Sequence, residues 1–351
     1  MTNERIADML NRFADHHVAV VGDLFLDRYL AIEPAYEEIS IETGKPAHQI
    51  TGRRAHPGAA GTVCNNLTAL GVGTVSVVAV IGDDGEGYEL IQACKQQGIT
   101  PRVVQSAQRF TPTYCKPMRQ LGNGQEEEME RLDTKNRSPL PADLEDQVIA
   151  ELVTIVGEVD AIIVADQVQE RNCGVITDRV RAFLCELAAQ NPQTIFFADS
   201  RERIGEFHQV TVKPNRLECT RAMNPQTGEA PSTDEAIQAG RELMQQTGKP
   251  VFLTLDAEGI CPIGPDGHTQ LPCPPVEGPI DIVGAGDSVT AGIVSALCSG
   301  ASLNEAAIIG NLVASITIRQ LGTTGTASPA QVNEAWQKHQ DRYAPYLEPQ
   351  A

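Results

Sequence analysis

The sequence is poor in aromatic residues and in positive charge, and it has no long apolar run. Aromatic residues make up 4% of the 351 residues, so we expect an aliphatic core, which suits a parallel sheet buried on both faces. The chain has 27 Lys and Arg against 46 Asp and Glu, a net charge of −19. This acid excess argues against nucleic acid as a partner. No segment approaches the roughly 20 apolar residues that cross a bilayer, which argues against a membrane protein.

Cysteine pairs of the C-x-x-C type are also missing. The nine cysteines are odd in number and scattered along the chain, which argues against a zinc site or a disulfide framework. The first residues lack the apolar run of a signal peptide. We therefore expect reduced thiols in a soluble, cytoplasmic protein.

Strand-like and helix-like patterns alternate over most of the chain. Short apolar runs typical of buried strands occur at residues 17–21, 75–81, 161–164, 194–198 and 251–255. Periodic amphipathic segments between them predict helices. This alternation predicts an α/β fold with a doubly wound, mostly parallel sheet flanked by helices.

Two stretches depart from this pattern. Residues 30–56 and 112–133 contain polar, interrupted β-like pieces, which predict a β flap, or lid, that forms a small secondary sheet. No linker divides the chain, so we expect a single domain over residues 1–335. The polar residues 336–351 predict a peripheral tail, and Pro57-Gly58 predicts the start of a helix.

The strongest motif is Asp281-Ile282-Val283-Gly284-Ala285-Gly286-Asp287-Ser288, which leads into an apolar helix. Small residues let the backbone approach a ligand closely, and the amides at the start of a helix favour an anion. A carboxylate in that first turn, Asp287, can take a proton from an alcohol that attacks a phosphoryl group. A lone Asp there would be interpreted as a helix cap, but the glycines beside it favour the chemical role.

This motif is similar to the D-T-x-G-A-G-D signature of the ribokinase-like, or PfkB, carbohydrate kinases. The resemblance extends over roughly residues 15–335. Further motifs that match in order and spacing are Val21-Gly22-Asp23, Pro57-Gly58-Ala59-Ala60, Gly82-Asp83-Asp84-Gly85-Glu86-Gly87 and Lys213-Pro214-Asn215-Arg216-Leu217-Glu218. Within the family, the run from Gly22 to Tyr29 resembles the heptose-phosphate kinases of ADP-heptose synthesis.

The resemblance implies a kinase that transfers the γ-phosphoryl group of ATP to a hydroxyl of a sugar or sugar phosphate. We expect the β lid to cover this small-molecule substrate and to pair with a second copy as a homodimer. Asp287 would be the general base, and an anion hole for the transferred group would be formed by the amides of Gly284, Ala285 and Gly286. The implied substrate-binding residues are Asp23, Asp27, Gly58, Thr62, Asn66 and Lys116. The implied nucleotide-binding residues are Asn215, Thr254, Asp256, Gly259, Gly286 and Asn311.

The resemblance also implies bound cations. Asn215 and Glu218 would hold Mg²⁺ through water, and Asp281 would border a site for a monovalent cation such as K⁺. An Asn followed three residues later by Glu is also an ordinary first-turn pattern of a helix. Asp27 could equally be structural, and for Lys116 a solvated lysine is the slightly favoured interpretation.

Four positions depart from the family pattern. Ile282 replaces a Thr beside the cation loop, Ala59 replaces a Gly, Thr62 replaces an Asn, and Asp256 replaces a Gly. None of these changes removes the base or the anion hole, so we expect the chemistry to be retained and the choice of sugar to differ. The alternatives are a nucleoside kinase on the same fold and a non-catalytic regulator that binds a sugar or nucleotide.

Overall fold

The computed structural model describes residues 1–122, 124–228, 231–322 and 324–347. Residues 348–351, the end of the expected tail, lie outside the described residues. The helices are α1 (Asn3–Arg12), α2 (Ala60–Ala69), α3 (Gly85–Gln96), α4 (Ala142–Ile155), α5 (Asp178–Gln190), α6 (Arg216–Met223), α7 (Thr233–Thr247), α8 (Ala285–Cys298), α9 (Leu303–Thr317) and α10 (Pro329–Tyr343).

The strands fall into a large sheet, a smaller mixed sheet and a short hairpin. They are β1 (His17–Gly22), β2 (Leu24–Ile32), β3 (Glu38–Ile39), β4 (Pro46–Ala47), β5 (Ile50–Ala59), β6 (Thr74–Gly82), β7 (Ile99–Ser106), β8 (Thr113–Gly122), β9 (Gln125–Glu128), β10 (Leu132–Thr134), β11 (Ala161–Asp166), β12 (Ile195–Ser200), β13 (Thr211–Val212), β14 (Val251–Thr254), β15 (Ile260–Gly264) and β16 (Gly267–His268).

The large sheet has the strand order β16-β15-β14-β13-β12-β11-β1-β6-β7. Strands β14 to β7 in this order are parallel, and β15 and β16 are antiparallel additions at one edge. Each face of the sheet has its own apolar core. Along β1, Val18 and Val20 pack into one core, and Ala19 and Val21 pack into the other. This period of two on a strand buried on both sides confirms the expected doubly wound sheet.

The smaller sheet, which we call the lid sheet, consists of β2, β5, β8, β9 and β10. It contains the two polar β-like stretches, but it begins at Leu24, six residues earlier than the sequence indicates. The reason is that β2 starts two residues after β1 ends, so the chain passes directly from the large sheet into the lid sheet.

The helix expected from Pro57-Gly58 begins later than predicted. Pro57 pairs with Leu26 as part of the antiparallel ladder between β5 and β2. The chain turns at Ala59, whose φ is 54°, and α2 then starts at Ala60. Cross-strand pairing therefore overrides the helix-start preference of the proline.

The expected peripheral tail is wrong for its first part. Residues 329–343 form α10, whose start has a capping box between Ser328 and Gln331. Trp336 and Tyr343 are fully buried in the same core as α1, and the Trp336 ring nitrogen donates to Asn3 Oδ1 at 2.8 Å. Two aromatic side chains spaced seven residues apart lie on one face of a helix, which makes the segment part of the core.

Within the described ranges, the search for a helix long and apolar enough to span a membrane found none.

Candidate active site

Charged side chains gather where several parallel strands end. Asp23 follows β1, Asp166 ends β11, Asp199 lies near the end of β12, and Lys213 follows β13. All four side chains are buried. Because parallel strands point the same way, their carboxyl ends share one edge, where open α/β sheets bind ligands.

A cavity of about 450 Å³ lies between this edge and the lid sheet. Several residues that the sequence predicts for catalysis or substrate binding line it together, although they are distant in the chain. They are Asp23, Asp27, Thr62, Lys116, Gly284 and Asp287. The fold thus brings the first-strand motif, the start of α2, the lid sheet and the start of α8 to one place.

Asp287 lies in the first turn of α8 and contributes its half-buried carboxyl group to the cavity. Burial and, to a smaller extent, the negative charge of Asp199 raise the pKa of Asp287, Lys213 and Arg201 lower it, and the resulting pKa is about 7. A carboxyl group with a pKa near neutrality is suited to accept a proton from an alcohol.

The start of α8 offers backbone amides to an anion, but not all those expected. Gly284 has a left-handed backbone with φ of 79°, and a Cβ there would lie 3.3 Å from the Thr62 methyl group. The Ala285 amide donates to the Ile282 carbonyl at 3.1 Å, so it is engaged in a turn. Among the described residues, the amides of Gly286 and Asp287 have no partner. These first-turn amides are the donors available to an anion.

Lys213 is a central site residue that the sequence reasoning missed. Its Nζ lies 2.9 Å from Asp199 Oδ2 and 3.6 Å from where a Cβ on Gly286 would be. Burial lowers the pKa of Lys213, but the charges of Asp199, Glu218 and Asp287 outweigh it and leave the pKa raised. The sequence signal that could have identified this pair is a Lys and an Asp at the ends of two apolar runs. Charged side chains in such positions are rarely buried unless they are paired.

Asn215 and Glu218 form a capping box at the start of α6, with both hydrogen bonds at 2.8 Å. The two residues therefore form the ordinary first-turn arrangement of a helix. Burial and, to a smaller extent, the charge of Asp199 nevertheless raise the pKa of Glu218, Lys213 lowers it, and the resulting pKa is about 7. This excess of carboxylate charge favours a hard cation. In the described ranges, no group of three His, Cys, Asp or Glu side chains that could hold a metal ion occurs.

Asp27 on β2 is directed into the cavity and has an unused acceptor. Its Oδ1 atom is buried without a hydrogen-bond partner, and Lys116 Nζ lies 3.8 Å away. Burial raises the pKa of Asp27, and Lys116 lowers it. Gly58 is required beside it because a Cβ there would lie 2.6 Å from Asp27 Oδ2. Lys116 also donates to the Tyr29 hydroxyl at 3.1 Å.

Two other residues expected to contact the substrate are used elsewhere. Both carboxylate oxygens of Asp23 accept hydrogen bonds from backbone amides of the loop after β11, and burial, helped by Asp166, raises the pKa of Asp23 to about 6. Asn66 is fully buried within α2, donates to the Thr62 carbonyl at 2.9 Å and does not line the cavity. The helix turns the Asn66 side chain away from the cavity, and its contact with a substrate stays a prediction.

Three residues expected to bind the nucleotide lie at the end of β14 and in the turn after it, and a fourth lies on α9. Thr254 bridges to Asn215, and Asp256 is exposed in a turn with φ of 52°. Gly259 is needed because a Cβ would lie 2.0 Å from the Leu271 carbonyl. Asn311 is buried and donates to that same carbonyl at 2.9 Å. Gly259 and Asn311 therefore have structural roles in this arrangement.

Asp281 connects two loops. Its carboxylate accepts from the amides of Val283 at 3.0 Å and Gly322 at 3.2 Å. Both oxygens are thus occupied by backbone donors, and the monovalent cation stays a prediction from the resemblance.

The cavity contains positive charge that the sequence did not point to. Arg131 and Lys135 lie over the ring of Tyr114 at 4.3 and 5.7 Å from its centroid. Arg201 lines the same cavity and donates to the side chain of Gln167 at 2.8 Å. A chain with a net charge of −19 therefore presents cationic groups to whatever occupies this cavity.

A family model described as "pfkB family carbohydrate kinase" matches residues 15–331 of the chain. The chain belongs to this family. The bifunctional protein HldE of Trichlorobacter lovleyi is 29% identical over 340 residues, which cover 95% of this chain and 65% of the relative. HldE of Hyphomonas neptunium is 29% identical over 338 residues, which cover 95% and 66%. The chain therefore spans about two thirds of the length of these curated relatives.

Solved structures of other kinases share the fold of this PfkB chain. Phosphofructokinase-2 from Escherichia coli in complex with potassium has a TM-score of 0.69 and 17% identity, over 92% of this chain and 99% of that one. Arabidopsis thaliana ribokinase, complexed with ribose and ATP, has a TM-score of 0.65 and 16% identity, over 91% and 98%. At such identities the likeness establishes the ribokinase-like fold.

The raised pKa of Asp287 has a consequence for the stability of this PfkB chain. Above pH 7 the carboxylate is ionised in both the folded and unfolded states, and its burial destabilises the fold; below the unfolded-state pKa it is protonated in both states, and the penalty is absent. We expect Asp287→Asn to raise the melting temperature at pH 8 by about 2 °C or more, and to raise it less at pH 5.

Thermal unfolding followed by circular dichroism at the two pH values measures this difference. Asp266→Asn, at an exposed aspartate between β15 and β16, is the matched control and should give no such pH-dependent gain. An equal effect of Asp287→Asn at both pH values would contradict the raised pKa.

Proposed function

We propose that the chain is an ATP-dependent kinase that transfers the γ-phosphoryl group to a hydroxyl of a sugar or sugar phosphate. The observation that carries the proposal is the position of Asp287. The carboxyl group of Asp287 has a pKa of about 7. It lies beside the first-turn amides of α8 that have no partner among the described residues, and it lines the same cavity as Asp27. A base beside an anion site is what phosphoryl transfer to an alcohol requires.

In this proposal each group has one task. Asp27 Oδ1 accepts a hydrogen bond from a sugar hydroxyl and orients the ring, with Thr62 and Lys116 on the same wall. Asp287 takes the proton of the attacking hydroxyl. The amides at the start of α8, together with Lys213, stabilise the charge on the transferring group.

ATP and Mg²⁺ complete the proposed site. The nucleotide would lie along Asn215, Thr254 and Asp256, and Asn215 and Glu218 would hold Mg²⁺ through water. The raised pKa of Glu218, to which the nearby carboxylate of Asp199 contributes, supports a cation there. When bound, Mg²⁺ neutralises phosphate charge and helps to orient the phosphates.

The charges of the cavity favour a sugar phosphate over a neutral sugar. Arg131, Lys135, Lys116 and Arg201 all line it; Arg131 is paired with Asp133, and Lys116 lies 3.8 Å from Asp27. A phosphate on the acceptor would gain charge-assisted hydrogen bonds from these groups. This fits the resemblance to heptose-phosphate kinases.

The nucleoside-kinase alternative is less well supported. A base is usually held by stacking on an aromatic face. Tyr114 lines the cavity, but Arg131 covers its ring and Phe25 meets it edge-on at 5.0 Å. No feature of the cavity favours the non-catalytic regulator, because Asp287 and Lys213 are both in place.

The first prediction concerns the base. Asp287→Asn should lower kcat by about 10²–10⁴-fold, since general base catalysis contributes that much, while ATP affinity stays within a few fold. Coupled ADP-release assays on a panel of hexoses, heptoses and their phosphates measure kcat, and calorimetric titration measures ATP binding. Asp266→Asn is the control and should behave as the wild type. Near-normal turnover by Asp287→Asn would refute the assignment.

The second prediction concerns the phosphate of the acceptor. Arg131→Gln should raise KM for a phosphorylated sugar by about tenfold or more, the scale of one charge-assisted hydrogen bond, and should leave KM for ATP unchanged. Arg119→Gln, at an exposed position on the same lid sheet, is the control. Equal KM changes for a sugar and its phosphate would contradict a phosphate site at Arg131.

We also propose that two copies pair through the lid sheet. The sheet has open edges at β5 and β10, and the hairpin beside it exposes Ile39 and Ile41 at 61% and 103%. Open edges and exposed apolar side chains favour pairing with an identical surface.

Light scattering should give the mass of two chains for the wild type and of one chain for the double variant Ile39→Asp/Ile41→Asp. Val153→Asp, an exposed apolar position on α4, should stay dimeric; a monomeric wild type would refute the proposal.

A further inference from the structure

The loop of residues 167–175 follows β11 and forms one wall of the cavity. It contains no helix or strand, so its backbone amides and carbonyls need partners from other parts of the chain. Most of its residues line the cavity. The position of this wall therefore depends on whatever holds the loop backbone.

Asp23 holds the loop by three of its amides. Oδ2 of Asp23 accepts from the amides of Gln167 and Val168, each at 2.9 Å, and Oδ1 accepts from the amide of Val175 at 2.8 Å. Asp23 is 3% exposed. A buried carboxylate that accepts several backbone hydrogen bonds is a strong and directional anchor.

Two buried arginines hold the carbonyl groups of the same loop. Arg203 donates to the carbonyls of Val168 and Gln169, the latter at 2.9 Å. Arg109 donates to the carbonyl of Cys173. Acceptors and donors from three separate segments of the chain thus fix one irregular loop.

The surroundings of Asp23 leave little access for a sugar. Two hydrogen bonds already occupy Oδ2, and Gly174 packs against Oδ1 so closely that a Cβ there would lie 2.5 Å away. Asp27 differs, because it lines the cavity and no backbone amide is bonded to its carboxylate; its buried Oδ1 has no hydrogen-bond partner among the described residues. Of the two aspartates of the first-strand motif, Asp27 is the one placed to meet a hydroxyl.

We propose that Asp23 is a positioning residue that shapes the acceptor site by fixing the 167–175 loop, and that it does not itself hold the sugar. The loop contacts stand independently of the activity, whereas the effect on an acceptor rests on the proposed kinase function. The two parts therefore need separate measurements.

The first measurement is hydrogen–deuterium exchange of the peptide 166–176 in the protein without ligands. Asp23→Asn replaces one acceptor oxygen by an NH₂ group that faces backbone donors, so exchange of this peptide should accelerate by about tenfold or more, as expected for a lost charged hydrogen bond. Asp160→Asn is the matched control: Asp160 accepts from the His17 amide at 2.9 Å at the opposite end of β1. Unchanged exchange in Asp23→Asn overturns the proposal.

The second measurement is kinetic, with fructose 6-phosphate and a heptose phosphate as acceptor probes. Asp23→Asn should raise KM for the acceptor by about tenfold or more and leave KM for ATP within twofold. Faster exchange with an unchanged acceptor KM would show that the loop does not shape the site and would overturn that part. If the wild type phosphorylates neither probe, the kinase proposal fails for these probes. The exchange experiment then still tests whether Asp23 fixes the 167–175 loop.

Gly174→Ala keeps every polar group and covers the case in which Asp23→Asn does not fold. Its added methyl group displaces the carboxylate of Asp23, so it should give the same faster exchange and the same KM change. A loss of activity in Gly174→Ala or Asp23→Asn without faster exchange would identify Asp23 as a direct ligand and overturn the proposal.

Discussion

The buried ammonium group of Lys213 is the interaction on which the rest of the active site depends. Asp199, Glu218 and Asp287 all sense its charge, and it contacts Asp199 directly. Without a cation among them, three carboxylates at the end of a buried sheet would repel one another and take up protons. Burial keeps the pKa values of Asp287 and Glu218 near neutrality, and the charge of Asp199, which one ammonium group does not fully offset, adds to this effect. The remaining carboxylate charge favours a second cation.

Both sides of the cavity carry charges of both signs. The sheet edge supplies the carboxylate of Asp23 and the guanidinium group of Arg201, and the lid sheet and the segment after it supply Asp27, Lys116, Arg131 and Lys135. An overall charge of −19 therefore does not describe the site, since the local field inside a cavity is set by the groups that line it. Irregular loops between the two sides are held by buried charged side chains because regular hydrogen bonding is not available to them.

Much of the fold could be predicted from the sequence because its signals are local. Alternation of apolar runs and amphipathic segments indicated the doubly wound sheet, and the run into α8 indicated the helix that carries Asp287. The start of α2 and the place of α10 could not be predicted in this way. The first depends on the pairing of Pro57 with Leu26 across two strands, and the second on the burial of Trp336 against α1.

The sequence by itself determined which residues end strands or begin helices, and so which side chains reach the edge of the sheet: Asp23 and Asp287 follow from that order. Only the tertiary structure decided what each side chain does there. Asn66 and Asn311 point inward from their helices, and Asp23 accepts hydrogen bonds from the amides of a loop about 145 residues further along the chain. A hydrogen-bond partner is chosen by three-dimensional proximity, which a motif does not contain.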